Sequence, residues 1–430
     1  TVGNFPGPLA MLRQGIGLAT DLYDVSIVNA IRPEFEACYG KLSPWDNGAI
    51  TSASHLGAIV GQLLFGVLAD KLGRRGTFIG TAGLMFFAAL GAALTVPIGS
   101  LSAAHVMMFF RFLLGIGIGG EYPLSGAVTA ESAPPHKSAT HMAAVLLCFL
   151  AGQILSATVV LICLYTGASA QVTWRVGIGG GSVLALIGFS VRLSTMKESQ
   201  AWLESRALTQ RQSIFQNYST FSALARPLAG TFFAWLVYDI VGYGTGGYTT
   251  TIFKSSTREG TLWNVLLIVA LSTPGYFFTL CVGRFGRRLF QLVGFLGMSI
   301  AFFMMGQTYG HIMIFVGVLI FGVQKSFDAF GPGAMTFMIP AEIFPTAVRA
   351  SCHGISAAGG KLGAFIGTFL LPPFQEAFGV PALLFTCSVL SLLGVLLTMV
   401  LTPPYDGDTL QNLRVATKSD LSRTTQILWT

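Results

Sequence analysis

Twelve apolar runs of about twenty residues, the length that spans a bilayer as a helix, leave this chain little choice of fold. Six fall at roughly 14–31, 48–69, 77–97, 104–126, 139–166 and 174–195. Six more fall at roughly 227–253, 260–282, 289–308, 311–338, 351–374 and 380–402. Inside lipid, backbone N–H and C=O groups must find partners within their own segment, so such runs are helices. Only 10% of residues are charged and 53% are hydrophobic, against about 25% charged in a soluble domain. The expectation is an all-α integral membrane protein with twelve transmembrane helices in two pseudo-symmetric six-helix halves. The halves divide as residues 1–196 and 227–402, with a cytoplasmic linker at 197–226 and a partly disordered cytoplasmic tail at 403–430.

The net charge of +7 is a matter of topology and gives no reason to expect nucleic acid. With the polar linker placed in the cytoplasm, most of the 25 Lys and Arg lie on that side. Only Arg32, Lys41, Lys254 and Arg258 fall opposite, which is the positive-inside bias and puts both termini in the cytoplasm. No stretch reads as a cleavable signal peptide. With Thr1 and not Met at the start, further N-terminal residues are expected. The six cysteines and six histidines show no metal-ligand spacing, so no metal, cofactor or enzymatic centre is expected. The cysteines read as small packing residues. His353 reads more readily as packing or capping than as a pH sensor.

Against this apolar background, buried charges are informative. The run Arg111–Ser125, RFLLGIGIGGEYPLS, carries Glu121 on a glycine-rich helix. An acid at that depth costs roughly 2.5–3.5 kcal/mol on insertion scales, so it faces a partner or a water-filled pathway. Asp21 and Asp24 lie at i and i+3 in the first span and share a helix face. Trp235, Asp239 and Tyr243 recur at i, i+4 and i+8, an aromatic stripe with a carboxylate at its centre. Lys361 lies too deep in the eleventh span to snorkel. Its ammonium needs an anion, either a membrane acid such as Asp239 or an anionic substrate. Lys325 and Asp328 form a further i, i+3 pair in the tenth span.

The turn between the second and third spans, Gly66-Val67-Leu68-Ala69-Asp70-Lys71-Leu72-Gly73-Arg74-Arg75, resembles the signature loop of the major facilitator superfamily. Its echo Gly283-Arg284-Phe285-Gly286-Arg287-Arg288 lacks the acid, which implies an asymmetric cytoplasmic gate with the latch in the first half. Two further stretches, Lys197-Glu198-Ser199 and Pro340-Ala341-Glu342 through Arg349, resemble cytoplasmic motifs of phosphate and sugar porters. By this resemblance Asp70, Arg74, Arg75, Glu131, Arg175, Glu198, Glu342 and Arg349 form a cytoplasmic gating network. The substrate is expected between the halves near the midplane.

Within that superfamily, five features together resemble the phosphate:proton symporters of fungi and plants: T-D-x-Y-D at Asp21, G-I-G-G-E-Y-P-L-S, Trp235-x3-Asp239-x3-Tyr243, the run F-G-P-G, and S-A-A-G-G-K at Lys361. The resemblance implies that Lys361 meets the substrate charge, that Tyr122, Trp235, Asp239 and Tyr243 line the site, and that Asp21, Asp24 and Glu121 carry protons. It departs at Glu121, where the family has Asp, and at Gly333, where the family has Asn; the glycine is expected to enlarge the pocket. It departs also at Phe149, where the family has Gln, with Gln153 one turn on as the substitute donor. The expected function is proton-coupled symport of inorganic phosphate by alternating access, in the plasma membrane. The alternatives are a transporter of a glycerophosphodiester or other organic phosphate or anion, and a phosphate transceptor.

Overall fold

The computed structural model describes residues 7–132, 138–208, 218–246, 255, 257–311 and 313–404. The middle of the linker and the tail beyond residue 404 lie outside the described residues, as do Lys137, Arg211, Lys254, Arg414, Lys418 and Arg423. The first half contains α1 (Pro8–Tyr39), α2 (Pro44–Leu72), α3 (Arg74–Ala93), α4 (Ala103–Ser132), α5 (Ser138–Tyr165) and α6 (Ala170–Thr195). A short α7 (Gln200–Leu208) leads to α8 (Tyr218–Gly246) and α9 (Arg258–Phe278). The second half continues through α10 (Val282–Phe285), α11 (Arg287–Thr308), α12 (Ile314–Phe330), α13 (Pro332–Ile343) and α14 (Arg349–Leu401).

Among the described residues, eleven helices are long and apolar enough to cross a membrane. Of these, α12 with α13 makes one span and α14 makes two, turning at Gly379 (φ 82°). The twelfth expected span is α1, which has 32 residues but whose aspartates lower its hydropathy. Burial is inverted relative to a soluble protein. Large apolar side chains such as Phe87, Phe378 and Val389 are about two-thirds exposed, while Asp21, Arg74, Arg111, Glu121 and Arg192 are buried. Lipid supplies no hydrophobic drive between helices, so close backbone approach and polar contacts hold them. A Cβ at Gly57 or Gly61 would overlap the carbonyls of Phe112 or Ile116 on α4. Gly363 and Gly367 of α14 stand likewise against the Leu236 and Ile240 carbonyls of α8.

The internal repeat is visible in the backbone. Gly73 (φ 112°) and Gly286 (φ 87°) make the same left-handed entry into α3 and α11, a conformation that costs other residues a Cβ clash. The arginine after each glycine pairs with an acid on a neighbouring helix: Arg74 with Glu131, and Arg287 with Glu342. These turns mark the basic face of the bundle.

Candidate functional site

A cavity of about 230 Å³ lies between the halves. Its floor is made by Tyr122, Trp235 and Phe337, and it extends past Asn29 and Gly246 toward the face opposite the basic one. Trp235 and Phe337 pack edge-on against His353, whose Nε2 lies 3.1 Å from the Phe337 carbonyl, so this histidine is a packing residue.

Beside the cavity sits a four-residue cage contributed by both halves. Lys361 Nζ donates to the Tyr243 hydroxyl (2.8 Å) and the Tyr122 hydroxyl (3.3 Å) and pairs with Asp21 Oδ2 at 3.3 Å. Tyr122 also donates a very short bond to Asp21. The ammonium lies 4.7 Å from each tyrosine ring centroid, a distance at which the ring faces attract a cation. Both charged side chains are 2% exposed. The structure thus pairs Lys361 with Asp21 of the other half and not with Asp239. The physical reason is that Lys361 points to the seam between the halves, where α1 and α4 project Asp21 and Tyr122. Asp239 lines the cavity beside Trp235 and makes no ion pair within 4 Å among the described residues. Gln153 and Phe149 both line the opposite wall, and Phe149 stands 6.1 Å from the Tyr122 ring.

Glu121, one position before Tyr122 and so turned about 100° away, leaves the cavity and enters the interior of the first half. Arg192 grips it with two bonds of 2.6 and 2.7 Å, and Thr81 adds a third at 2.9 Å. The acid therefore has a partner, Arg192 of α6, which the sequence reading does not single out. The available signal was that Arg192 falls inside the predicted span 174–195. Asp24 diverges from Asp21. Its carboxylate packs on Gly181 of α6, and Arg111 bonds its backbone carbonyl while holding Ile50 O and Ser54 Oγ.

Gly333 lines the cavity, with the Tyr238 hydroxyl close above it. A Cβ there would meet the Tyr238 hydroxyl at 2.9 Å and the Asp328 carbonyl at 2.8 Å, because Tyr238 donates to Asp328 Oδ1 (2.7 Å) across that space. Lys325 Nζ binds the other carboxylate oxygen at 2.8 Å, and both ends of this expected pair line the cavity.

The basic face is closed by a shared polar network. Asp70 pairs with Arg74 (2.7 Å), and its carboxylate crosses to the other half, accepting from the Ser351 N–H (2.7 Å) and the Ala350 N–H (3.4 Å) in the first turn of α14. It thus caps a helix of the opposite half, where the exposed amides favour negative charge. Arg74 also holds Glu131 at 2.9 Å and the Thr346 carbonyl at 3.1 Å, and Arg349 stands 3.6 Å from Glu131. Glu198 caps α3 through the Arg74 N–H (2.7 Å) and the Arg75 N–H, Ser199 donates to Glu131 (2.6 Å), and Arg75 Nε donates to the Met196 carbonyl. Gly66 and Gly354 let α2 and α14 touch, against the Ala350 and Gln62 carbonyls.

Arg175 does not belong to this network. It binds the Ala93 and Thr95 carbonyls at 2.7 and 3.0 Å, at the far end of the bundle. It stands near the start of α6, and α6 begins on the face where α3 ends.

Residues 16–416 match the family described as "Sugar (and other) transporter". The chain is 29% identical over 436 residues to a repressible high-affinity phosphate permease of Neurospora crassa, covering 84% of this chain and 76% of that protein. It is 28% identical over 486 residues to a probable inorganic phosphate transporter, 1-6, of Arabidopsis thaliana, covering 96% and 94%. Among solved structures it resembles the major facilitator superfamily proton:xylose symporter XylE bound to a bromodeoxyglucose. That match has a TM-score of 0.80 at 20% identity and covers 93% of this chain and 96% of the other.

Proposed function

The chain belongs to the sugar (and other) transporter family of the major facilitator superfamily, a multi-pass membrane transporter and not an enzyme, and on that premise we propose that it carries inorganic phosphate coupled to protons. The observation that carries this reading is the cage in which one buried ammonium, Lys361, is shared between Asp21 and two tyrosine hydroxyls at the seam of the halves. The phosphate permease and phosphate transporter names of its relatives support the substrate.

An oxyanion and the Asp21 carboxylate compete for the same cation. A proton taken up by Asp21 from the cavity side removes its negative charge, weakens its hold on Lys361 and frees the ammonium for phosphate. Tyr122, Tyr243 and the Trp235 indole N–H are donors within reach of an anion there, and Gln153 adds an amide from the opposite wall. Asp239, ionised, repels phosphate; protonated, it donates to it. Proton and anion occupancy are thereby linked, and only the doubly loaded or the empty site is electrostatically satisfied. Glu121, locked to Arg192, serves as a buried tie between α4 and α6 and Asp24 as a neighbour of the relay.

The halves, taken as residues 1–196 and 227–402, rock about this site. The basic face is the cytoplasmic side, both termini lie there, and the membrane is the plasma membrane. Its network on Asp70, Arg74, Glu131 and Arg349 opens as substrate leaves, while Glu342 and Arg287 stay paired within the second half. In proteoliposomes with an inward proton gradient, labelled phosphate is expected to accumulate, and a protonophore to abolish the accumulation. Accumulation that persists with the protonophore present refutes proton coupling.

A further inference from the structure

Lys361, the cation expected to meet substrate, is enclosed, whereas Lys325 is 19% exposed and is the one Lys or Arg on the cavity wall among the described residues. Lys325 is not a free anion trap. It is neutralised by Asp328 at 2.8 Å, and Asp328 is held on its other oxygen by Tyr238. A charge-balanced group of this kind suits a hydroxylated moiety better than a second anion. The ammonium and the phenol donate, the carboxylate accepts, and no net charge must be matched. The group sits where the tenth span breaks between Phe330 and Pro332, and the bare Gly333 is what lets the Tyr238 hydroxyl reach Asp328.

The two polar stations are adjacent through α8, in which consecutive residues diverge by about 100°. Asp239 borders the Lys361 station and Tyr238 reaches Asp328. The space also exceeds a phosphate. The cavity volume is about 230 Å³ and its lining runs from Tyr122 and Tyr243 to Lys325 and Asp328, whereas a phosphate ion has only five heavy atoms. Leu262, Val265, Ile268 and Val269 give the remainder an apolar wall on which a short carbon skeleton can lie.

We propose that Lys325, Asp328 and Tyr238 form a second, hydroxyl-binding subsite, so that the cavity also takes a phosphate monoester of a small polyol, its phosphate at the Lys361 station and its hydroxyls at Asp328. This rests on the reading of the Lys361 station as the phosphate site. A buried carboxylate that loses a hydroxyl partner forfeits a charge-assisted bond, so the carbon-bound hydroxyls and not the mere bulk of the ester determine affinity.

The test is displacement of labelled phosphate from the purified full chain by glycerol 3-phosphate and by methyl phosphate, which has the ester but no hydroxyl. Glycerol 3-phosphate is expected to bind at least tenfold more tightly than methyl phosphate, and Asp328→Asn and Lys325→Met to bring that ratio close to one. Equal competition by the two esters in the unmodified protein overturns the subsite, with no variant needed. A tenfold ratio that survives both substitutions overturns its assignment to these residues. If labelled phosphate itself does not bind, the parent reading fails separately, and labelled glycerol 3-phosphate is then bound directly. Its binding with the same Asp328 dependence supports the subsite, and absence of binding overturns it.

Discussion

Replacing Asp70 with alanine removes the only carboxylate that, among the described residues, caps a helix of the opposite half. The bond at 2.7 Å to the Ser351 N–H is charge-assisted and contributes roughly 1.5–3 kcal/mol net; the 3.4 Å contact to Ala350 adds little. Arg74 is not orphaned, since Glu131 still holds it at 2.9 Å, so the loss falls on closure of the basic face and not on folding. At about 1.4 kcal/mol per tenfold, the open population is expected to rise roughly 10- to 150-fold. Asp70→Asn keeps a neutral acceptor worth about 0.5–1.5 kcal/mol and is expected to fall between the two. The protein supplies its own reporter. Cys352 follows Ser351 directly, is 6% exposed and lies at the closed seam. Maleimide modification of Cys352, located by peptide mass spectrometry, therefore measures opening. The expected order of rates is Ala above Asn above the unmodified protein. A rate for Asp70→Ala within threefold of the unmodified protein, with an unchanged melting temperature, would refute the capping argument.

Glu121→Gln leaves Arg192 buried without its anion and is expected to cost about 3–5 kcal/mol, read as a lower melting temperature in detergent. Adding Arg192→Met is expected to restore much of it, and additive losses would show that the pair is not coupled. Lys361→Met is expected to weaken phosphate binding by 2 kcal/mol or more, the usual scale for truncating one side of a buried charge pair, and unchanged affinity in a binding isotherm would displace the anion station from this residue. Gly333→Asn forces the Tyr238 hydroxyl from Asp328 and is expected to cost about 1–3 kcal/mol as overpacking. A variant as stable as the unmodified protein would mean that the wall yields there.

The architecture was legible because bilayer spanning imposes a length and an apolar composition that can be counted. Even α1, whose aspartates hide it from hydropathy, was found from the apolar residues on either side. The site was legible wherever a charge stood inside a span: Asp21, Asp239, Lys361 and the Lys325–Asp328 pair all border one cavity or its cage. What a single helix cannot reveal is which neighbour completes a charge. Spacing says nothing about Asp21 meeting Lys361 in preference to Asp239, or about Arg192 claiming Glu121. The resemblance puts Arg175 in the gating network, but it stands near the start of α6, on the opposite face. Gly333 shows the same limit: it lines the cavity, but its own helix gives no sign that the Tyr238 phenol of another helix stands over it.

The Lys361–Asp21 pair has a consequence for how the protein is made. Its partners are 340 residues apart. At about 5–20 residues per second of synthesis, Asp21 waits roughly 17–70 s in the membrane before its counter-ion emerges from the ribosome. Among the described residues, the Tyr122 hydroxyl is the side-chain partner that the first half itself gives Asp21, and the ammonium comes only with the eleventh span. The two halves are thus not interchangeable products of one repeat. The first carries a carboxylate whose cation is supplied by the second, in its eleventh span.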